Sequence, residues 1–303
     1  MYTLSLKCKT ITPMFMAGAD GKSPELRPSE FKGMIRWWWR AIKAESKIDK
    51  LKKKEAEIFG GTGENEGKSK LWIRISTHLS DSDVINYQPL PHHKRVNCPI
   101  CRNPRCNKAF ELKAIKEDKE ISLEFAFIDD KDLKMIESLI YLTFILGGFG
   151  KRARRGFGSL QIIEPQIKLT PESILNFLNN VENSYEIGNS DYLQGNRVIR
   201  NKKNGGDYPW IKEIILGTRP YIRSDDILIR IGEASHRYSD PSLGLAKPRM
   251  SSSVYVSVIK DDDKYYPLIT FLNFAPPQNY STYSKDEQTK FIDYIIWGGK
   301  AHE

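Results

Sequence analysis

Along the chain, apolar residues alternate with polar ones in some stretches and recur every three or four positions in others. Residues 2 to 12 alternate, as a half-buried strand does, and are followed by a Gly/Asp/Pro-rich loop over residues 17 to 28. Ser29 then stands in N-cap position ahead of a helical pattern over Glu30 to Glu45. Lys50 to Phe59 reads as a second helix ending at Gly60 and Gly61, and Lys70 to Thr77 as a strand. Residues 80 to 110 show no period and read as an inserted loop. Glu120 to Asp129 fits a strand, Asp130 to Leu146 a strongly apolar helix, and Ser159 to Glu164 a strand before Pro165.

The remainder predicts a helix over Pro171 to Val181, a polar Gly-rich stretch from Asn183 to Asp207, a short helix over Trp210 to Leu216 and a strand over Ile227 to Ile231. Val254 to Ile259 and Tyr265 to Phe274, joined by three aspartates and a lysine, form a hairpin, and Ser284 to Trp297 a final helix. The mixture defines an α+β protein, with one domain over residues 1–165 and a second over 166–303. At 303 residues, each would bury its own core.

Composition narrows the partners. Lys and Arg number 47 against 38 Asp and Glu, so the chain is basic and is drawn to polyanions. The longest apolar run, near Ile136 to Gly148, is too short to span a bilayer, so no membrane partner is expected. The alternating first residues lack the apolar core of a secretion signal, which places the protein in the cytoplasm.

Three stretches carry candidate chemistry. At 100° per residue, the first helix sets Phe31, Met34, Ile35, Trp38, Ala41 and Ile42 on one face. Lys32, Arg36, Arg40 and Lys43 fall on the other, edged by Trp37 and Trp39. Cations neutralise phosphates and indoles stack bases at about 1–3 kcal/mol each, which suits single-stranded RNA. The same stripe also reads as a solvated basic face with its tryptophans buried against a neighbouring domain. The second stretch, Gly148-Phe-Gly150, Lys151-Arg152-Ala-Arg154-Arg155, Gly156-Phe-Gly158, places four cations between paired glycines. Glycines permit close approach, and free N–H groups beside cations would hold phosphates. It is neither a P-loop nor a dinucleotide fingerprint. In the third, Cys98, Cys101 and Cys106 offer three soft ligands for a structural zinc. His93 or His92 is the fourth, with Cys8 or water as alternatives.

The glycine run resembles the glycine-rich loop of the RAMP superfamily of CRISPR-associated proteins. Ser29-Glu-Phe-Lys-Gly-Met-Ile-Arg36 with the following Trp-Trp-Trp-Arg40, and Ile58-Phe-Gly-Gly61, resemble the family of subunit one of the type III-B (Cmr) effector complex. Arg249-Met-Ser-Ser252 fits more loosely. The resemblance implies tandem ferredoxin-like (RRM-like) domains and a non-catalytic RNA-binding subunit. Its partners would be CRISPR RNA, target RNA and the other Cmr subunits, with Lys32, Arg36 and residues 148–158 lining the RNA path. The Cys-containing insertion departs from that pattern.

Two other classes are open at this point. Some RAMP relatives cut RNA without metal, and His236, in Glu233-Ala-Ser-His-Arg-Tyr238, is the best general-base candidate. A basic protein–protein adaptor would use the tryptophans as anchors. It would leave the glycine loop unexplained.

Overall fold

The computed structural model describes residues 1–64, 66–90, 111–129, 132–188, 196–202, 205–274 and 284–297. The first part of the chain forms β1 (Tyr2–Thr10), α1 (Pro28–Lys43), α2 (Ile48–Phe59), β2 (Leu71–Ile75), β3 (Val84–Tyr87), β4 (Leu112–Ile115), β5 (Glu120–Phe127), α3 (Leu133–Leu146) and β6 (Leu160–Glu164). The second part forms α4 (Pro171–Val181), β7 (Tyr185–Ile187), β8 (Arg197–Arg200), β9 (Ile211–Leu216), α5 (Ser224–Arg237), β10 (Val254–Asp261), β11 (Lys264–Leu272) and α6 (Lys285–Trp297).

The first sheet has the order β2-β5-β1-β6, with antiparallel neighbours. Alternation along β1 and β5 sends Leu4, Leu6, Cys8, Ile121, Leu123 and Phe125 to one face. That face shares its core with Phe31, Ile35 and Trp38 of α1 and Leu139 and Leu142 of α3. The second sheet has the order β10-β11-β9-β8-β7, again antiparallel throughout. Within both sheets a strand–helix–strand pair encloses a third strand: β5 lies between β1 and β2, and β11 between β9 and β10. β3 and β4 pair separately as a hairpin whose Tyr87 and Ala114 pack with Phe15, Phe157 and Leu228.

α3 is buried on nearly every side from Ile136 to Leu146, and one continuous core runs from it into Ile174, Leu178, Ile211, Ile214 and Leu268 of the second part. At the junction, β6 and the glycine loop run along the edge of β10. Gly156 N–H donates to the Val256 carbonyl at 2.8 Å and Val258 N–H to Ser159 Oγ at 3.0 Å.

Several expectations are corrected. α1 begins at Pro28, whose missing N–H suits the first helical position, and its N-cap is Arg27 rather than Ser29. Residues 211–216 are the strand β9, because Ile211, Ile214, Ile215 and Leu216 are buried in a central strand between two neighbours. Residues 227–231 lie within α5, where Ile227, Leu228, Ile231 and Ala234 form one buried helical stripe. The irregular stretch 80–110 contains β3, and the polar stretch 183–207 contains β7 and β8.

Candidate nucleic-acid interface

The first helix uses its cations more for its own packing than the helical projection suggests. α2 carries Leu51, Glu55 and Phe59 on its buried stripe, so a carboxylate sits 4% exposed beneath α1. Glu55 Oε1 accepts from Arg40 Nη1 at 2.6 Å and also from Arg36 Nε. Lys32 Nζ donates to the Leu71 carbonyl at 2.9 Å, and Lys43 Nζ to the Val181 carbonyl. The four cations therefore clip α1 to α2, β2 and α4, although Arg36 keeps 43% and Arg40 34% of its side chain exposed. Glu55 was legible only as a charge interrupting an i, i+4 apolar stripe.

Trp39 is corrected outright. It is 1% exposed and packs edge-on against Phe59, so it has no face for a base; α2 covers the side expected to meet solvent. Trp37 is half-buried, with Arg154 stacked 5.3 Å from its ring centroid. Between them on the solvent side of α1 lies Gly33, which is exposed, and a Cβ built there meets no atom within 4 Å. An exposed glycine in a helix interior costs about 1 kcal/mol relative to alanine. Among the described residues no neighbour requires the glycine, and the helix surface at Gly33 is left open.

The glycine loop folds on itself. Gly150 and Gly158 have φ of 84° and 67°. A Cβ would meet the Phe15 backbone at 2.5 Å from the first and the Phe149 carbonyl oxygen at 2.0 Å from the second. The expected cradle of free N–H groups is not what the glycines present. Gly148 donates to Tyr255 Oη at 3.0 Å, Gly150 to Glu30 Oε1 at 3.3 Å, Gly156 to Val256 and Gly158 to the Pro13 carbonyl at 3.0 Å. These close approaches serve protein backbone and side chains.

The four loop cations divide into two pairs. Arg155 points inward, donating to the carbonyls of Leu243, Arg154 and Val254 and lying 5.4 Å from the Phe291 ring. Burial, with Arg152 and Arg154 close by, lowers its pKa to about 10, so it is still charged at neutral pH. Arg154 donates to the Ser252 carbonyl and faces Trp37 and Tyr255. Lys151 and Arg152 are exposed at the tip. Lys151 Nζ donates to Gly21 O at 2.8 Å, which sets the loop carrying exposed Lys22 beside it. Arg154 also ties the loop to the segment that follows the turn carrying exposed Lys247 and Arg249. Lys22 had no signal in the sequence, because only the folded chain brings its loop beside Lys151.

His236 is exposed on the last turn of α5. Its neighbours in sequence have structural partners: Glu233 accepts from Tyr294 Oη at 3.0 Å, Arg237 lies 4.8 Å from the Tyr294 ring, and Ser235 caps back to Ile231 O at 2.8 Å. Cys8 is buried under the first sheet, where desolvation pushes its thiol up, so it is core. Cys98, Cys101, Cys106, His92 and His93 lie outside the described residues. Among the described residues no cluster of three His, Cys, Asp or Glu could hold a metal, and no helix is long and apolar enough to cross a membrane.

A four-stranded antiparallel sheet backed by α1 and α3, with a glycine-rich loop ahead of its last strand, defines the class of protein. The chain belongs to the RAMP superfamily, whose family model matches residues 7–161. The particular relatives are Cmr subunits. Over 182 residues it is 30% identical to CRISPR system Cmr subunit Cmr1-2 of Pyrococcus furiosus, covering 54% of this chain and 96% of that one. It is 25% identical over 143 residues to Cmr1-1 of the same organism, covering 46% of this chain and 41% of the relative. The fold is similar to the crystal structure of apo Cmr1 from Pyrococcus furiosus, with a TM-score of 0.63 at 15% identity over 98% of this chain and 97% of that chain. It also resembles a chain of the type III-B Cmr-beta complex bound to cognate target RNA, with a TM-score of 0.51 at 13% identity over 96% of this chain and 99% of that chain.

Proposed function

We propose that this chain is a non-catalytic, RNA-binding structural subunit of a type III-B Cmr ribonucleoprotein, contacting the 3′ region of the CRISPR RNA, the guide–target duplex, or both. The observation that carries the reading is that α1, with Gly33 left open and Trp37 under Arg154, is joined through Glu30 and Gly150 to the loop that carries exposed Lys151 and Arg152. A bare helix surface admits a sugar–phosphate backbone closely, Lys151 and Arg152 neutralise its phosphates, and Trp37 with Arg154 offers a flat cationic surface for a base. Lys22, Lys247 and Arg249 add exposed cations on the segments tied to this loop. None of these groups reads base edges, so recognition is weakly dependent on sequence.

The four-stranded sheet, as β1-α1-β2-β5-α3-β6, is read as a ferredoxin-like RAMP domain. The unit β9-α5-β10-β11-α6 repeats the first five elements of that pattern, with β8 in the place of its last strand. In this assembly the chain positions RNA, in keeping with relatives named as Cmr subunits. The basic loops serve that purpose without a nucleophile or base at their centre.

The test is fluorescence anisotropy with single-stranded RNA. Changing Lys151 and Arg152 to Ala weakens binding and lowers the salt slope by about 0.7 per lost phosphate contact, with thermal stability unchanged. An affinity indifferent to both the substitutions and salt would end the proposal. Denaturing gels of the same samples follow the RNA length; cleavage abolished by His236→Ala would replace the structural reading with an enzymatic one.

A further inference from the structure

The first sheet leaves one strand edge with hydrogen-bonding capacity to spare. Ile128 N–H donates to the Lys70 carbonyl at 3.2 Å and Ser76 N–H to the Ser122 carbonyl at 3.1 Å. With Leu71 opposite Phe127 and Ile75 opposite Leu123, the even-numbered residues of β2 therefore face β5, and Leu71, Ile73 and Ile75 point their N–H and C=O groups away from it. Leu71 is satisfied within the chain, its carbonyl by Lys32 Nζ at 2.9 Å and its N–H by Ser69 Oγ at 3.2 Å. Ile73 and Ile75 have no outward partner among the described residues. The opposite edge of this sheet, β6, is occupied by β10.

Beside the open edge, on the face no helix covers, stand Trp72 at 46% exposure and Arg74, with Ile128 at 56% on the neighbouring strand. Natural sheets blunt such edges with charge; here Arg74 stands beside exposed Trp72 rather than replacing it.

We propose that the outer edge of β2 is a subunit-docking strand: it receives an extended segment of another protein subunit of the assembly, which pairs with the backbone of Ile73 and Ile75 and sets apolar and acidic side chains against Trp72 and Arg74. The proposal rests on the reading of this chain as a subunit. A row that both donates and accepts at strand spacing is complementary to another polypeptide backbone, whereas a phosphodiester only accepts there. Arg74 stands opposite Glu124 on β5, and its exposed guanidinium also favours an acidic neighbour across the new pair.

The experiment is residue-resolved amide hydrogen exchange on the full chain, alone and in a complex reconstituted from the Cmr subunits, with Ile73→Pro as the variant. Trp72 and Arg74 exchange slowly in both states, while Ile73 and Ile75 slow at least tenfold only on assembly. Ile73→Pro removes an N–H that the β5 ladder does not use, so the variant keeps RNA binding and is lost from the complex in native mass spectrometry. Ile73 and Ile75 exchanging equally fast in the assembled wild type overturns the proposal while leaving the subunit reading intact. Protection already present in the isolated chain overturns it too, because the edge is then covered from within. Protection that grows with the concentration of this chain alone overturns it in favour of a second copy. A wild-type chain that joins no assembly takes both readings down.

Discussion

Replacing Gly33 with alanine separates a stabilising effect from a binding one. The added methyl enters open space, since among the described residues no atom lies within 4 Å of the Cβ position, and the backbone there is ordinary helix. Helix propensity then favours alanine by about 1 kcal/mol, which for a chain of this size raises the melting temperature by roughly 1.5 °C. If RNA lies against the bare helix, the same methyl intrudes on a close contact. Overpacking of this kind costs about 1–3 kcal/mol, or roughly 5- to 150-fold in Kd. Calorimetry of the isolated chain and RNA anisotropy at fixed salt read the two effects independently. A more stable Gly33→Ala protein with unchanged RNA affinity would refute the idea that this surface is kept clear for a ligand.

Further expectations concern the junction and the insertion. Arg155→Ala removes the donor to two carbonyls of the second part and one within the glycine loop, so it lowers stability by about 2 kcal/mol or more in denaturant titrations, whereas Lys151→Ala does not. Burial and the nearby Asp225 raise the pKa of Glu117, which accepts from Ser224 Oγ at the start of α5. A raised acid binds more protons folded than unfolded, so its contribution is present below the ordinary carboxylate range and fades as pH rises through the folded pKa. Glu117→Gln therefore gains melting temperature relative to the wild type at pH 8 but not at pH 4; equal shifts at both would exclude this origin. The sequence leads us to propose that Cys98, Cys101 and Cys106 with His93 hold a structural zinc, with the expected outcome of one equivalent by elemental mass spectrometry, lost on substitution of Cys98 and Cys101 by serine.

Patterns set by local burial were readable from the sequence, and those set by distant contacts were not. β1 and β5 follow their period because each turns one face to the core, whereas α3 and the β10–β11 hairpin, buried nearly all round, were legible from their length, apolar content and connecting turn. β9 was misread because a strand buried on both faces loses alternation, and Ile227 to Ile231 because Ile-Leu-Ile-Arg-Ile alternates by accident within a helical stripe. At the candidate site, the glycine loop and the tryptophan-rich helix were found, while Trp39 and Arg155 were given to solvent. A helical wheel assigns faces but not neighbours, and α2, α6 and the approach to β10 supply the neighbours that bury them.

The burial of α3 has a consequence for how the chain reaches this state in a cell. α3 packs on α1 and β6 from the first part and on α4, β10 and β11 from the second. As residues leave the ribosome in order, the first sheet is complete at Glu164 and α4 follows at once, yet the side of this apolar helix that meets β10 and β11 stays uncovered until they emerge about a hundred residues later, several seconds at ordinary translation rates. During that interval the nascent chain offers a greasy helix to whatever is near, which makes it a natural client for a ribosome-associated chaperone. A stop codon placed shortly after residue 165 would leave that exposure permanent, and an aggregating fragment is the expected product.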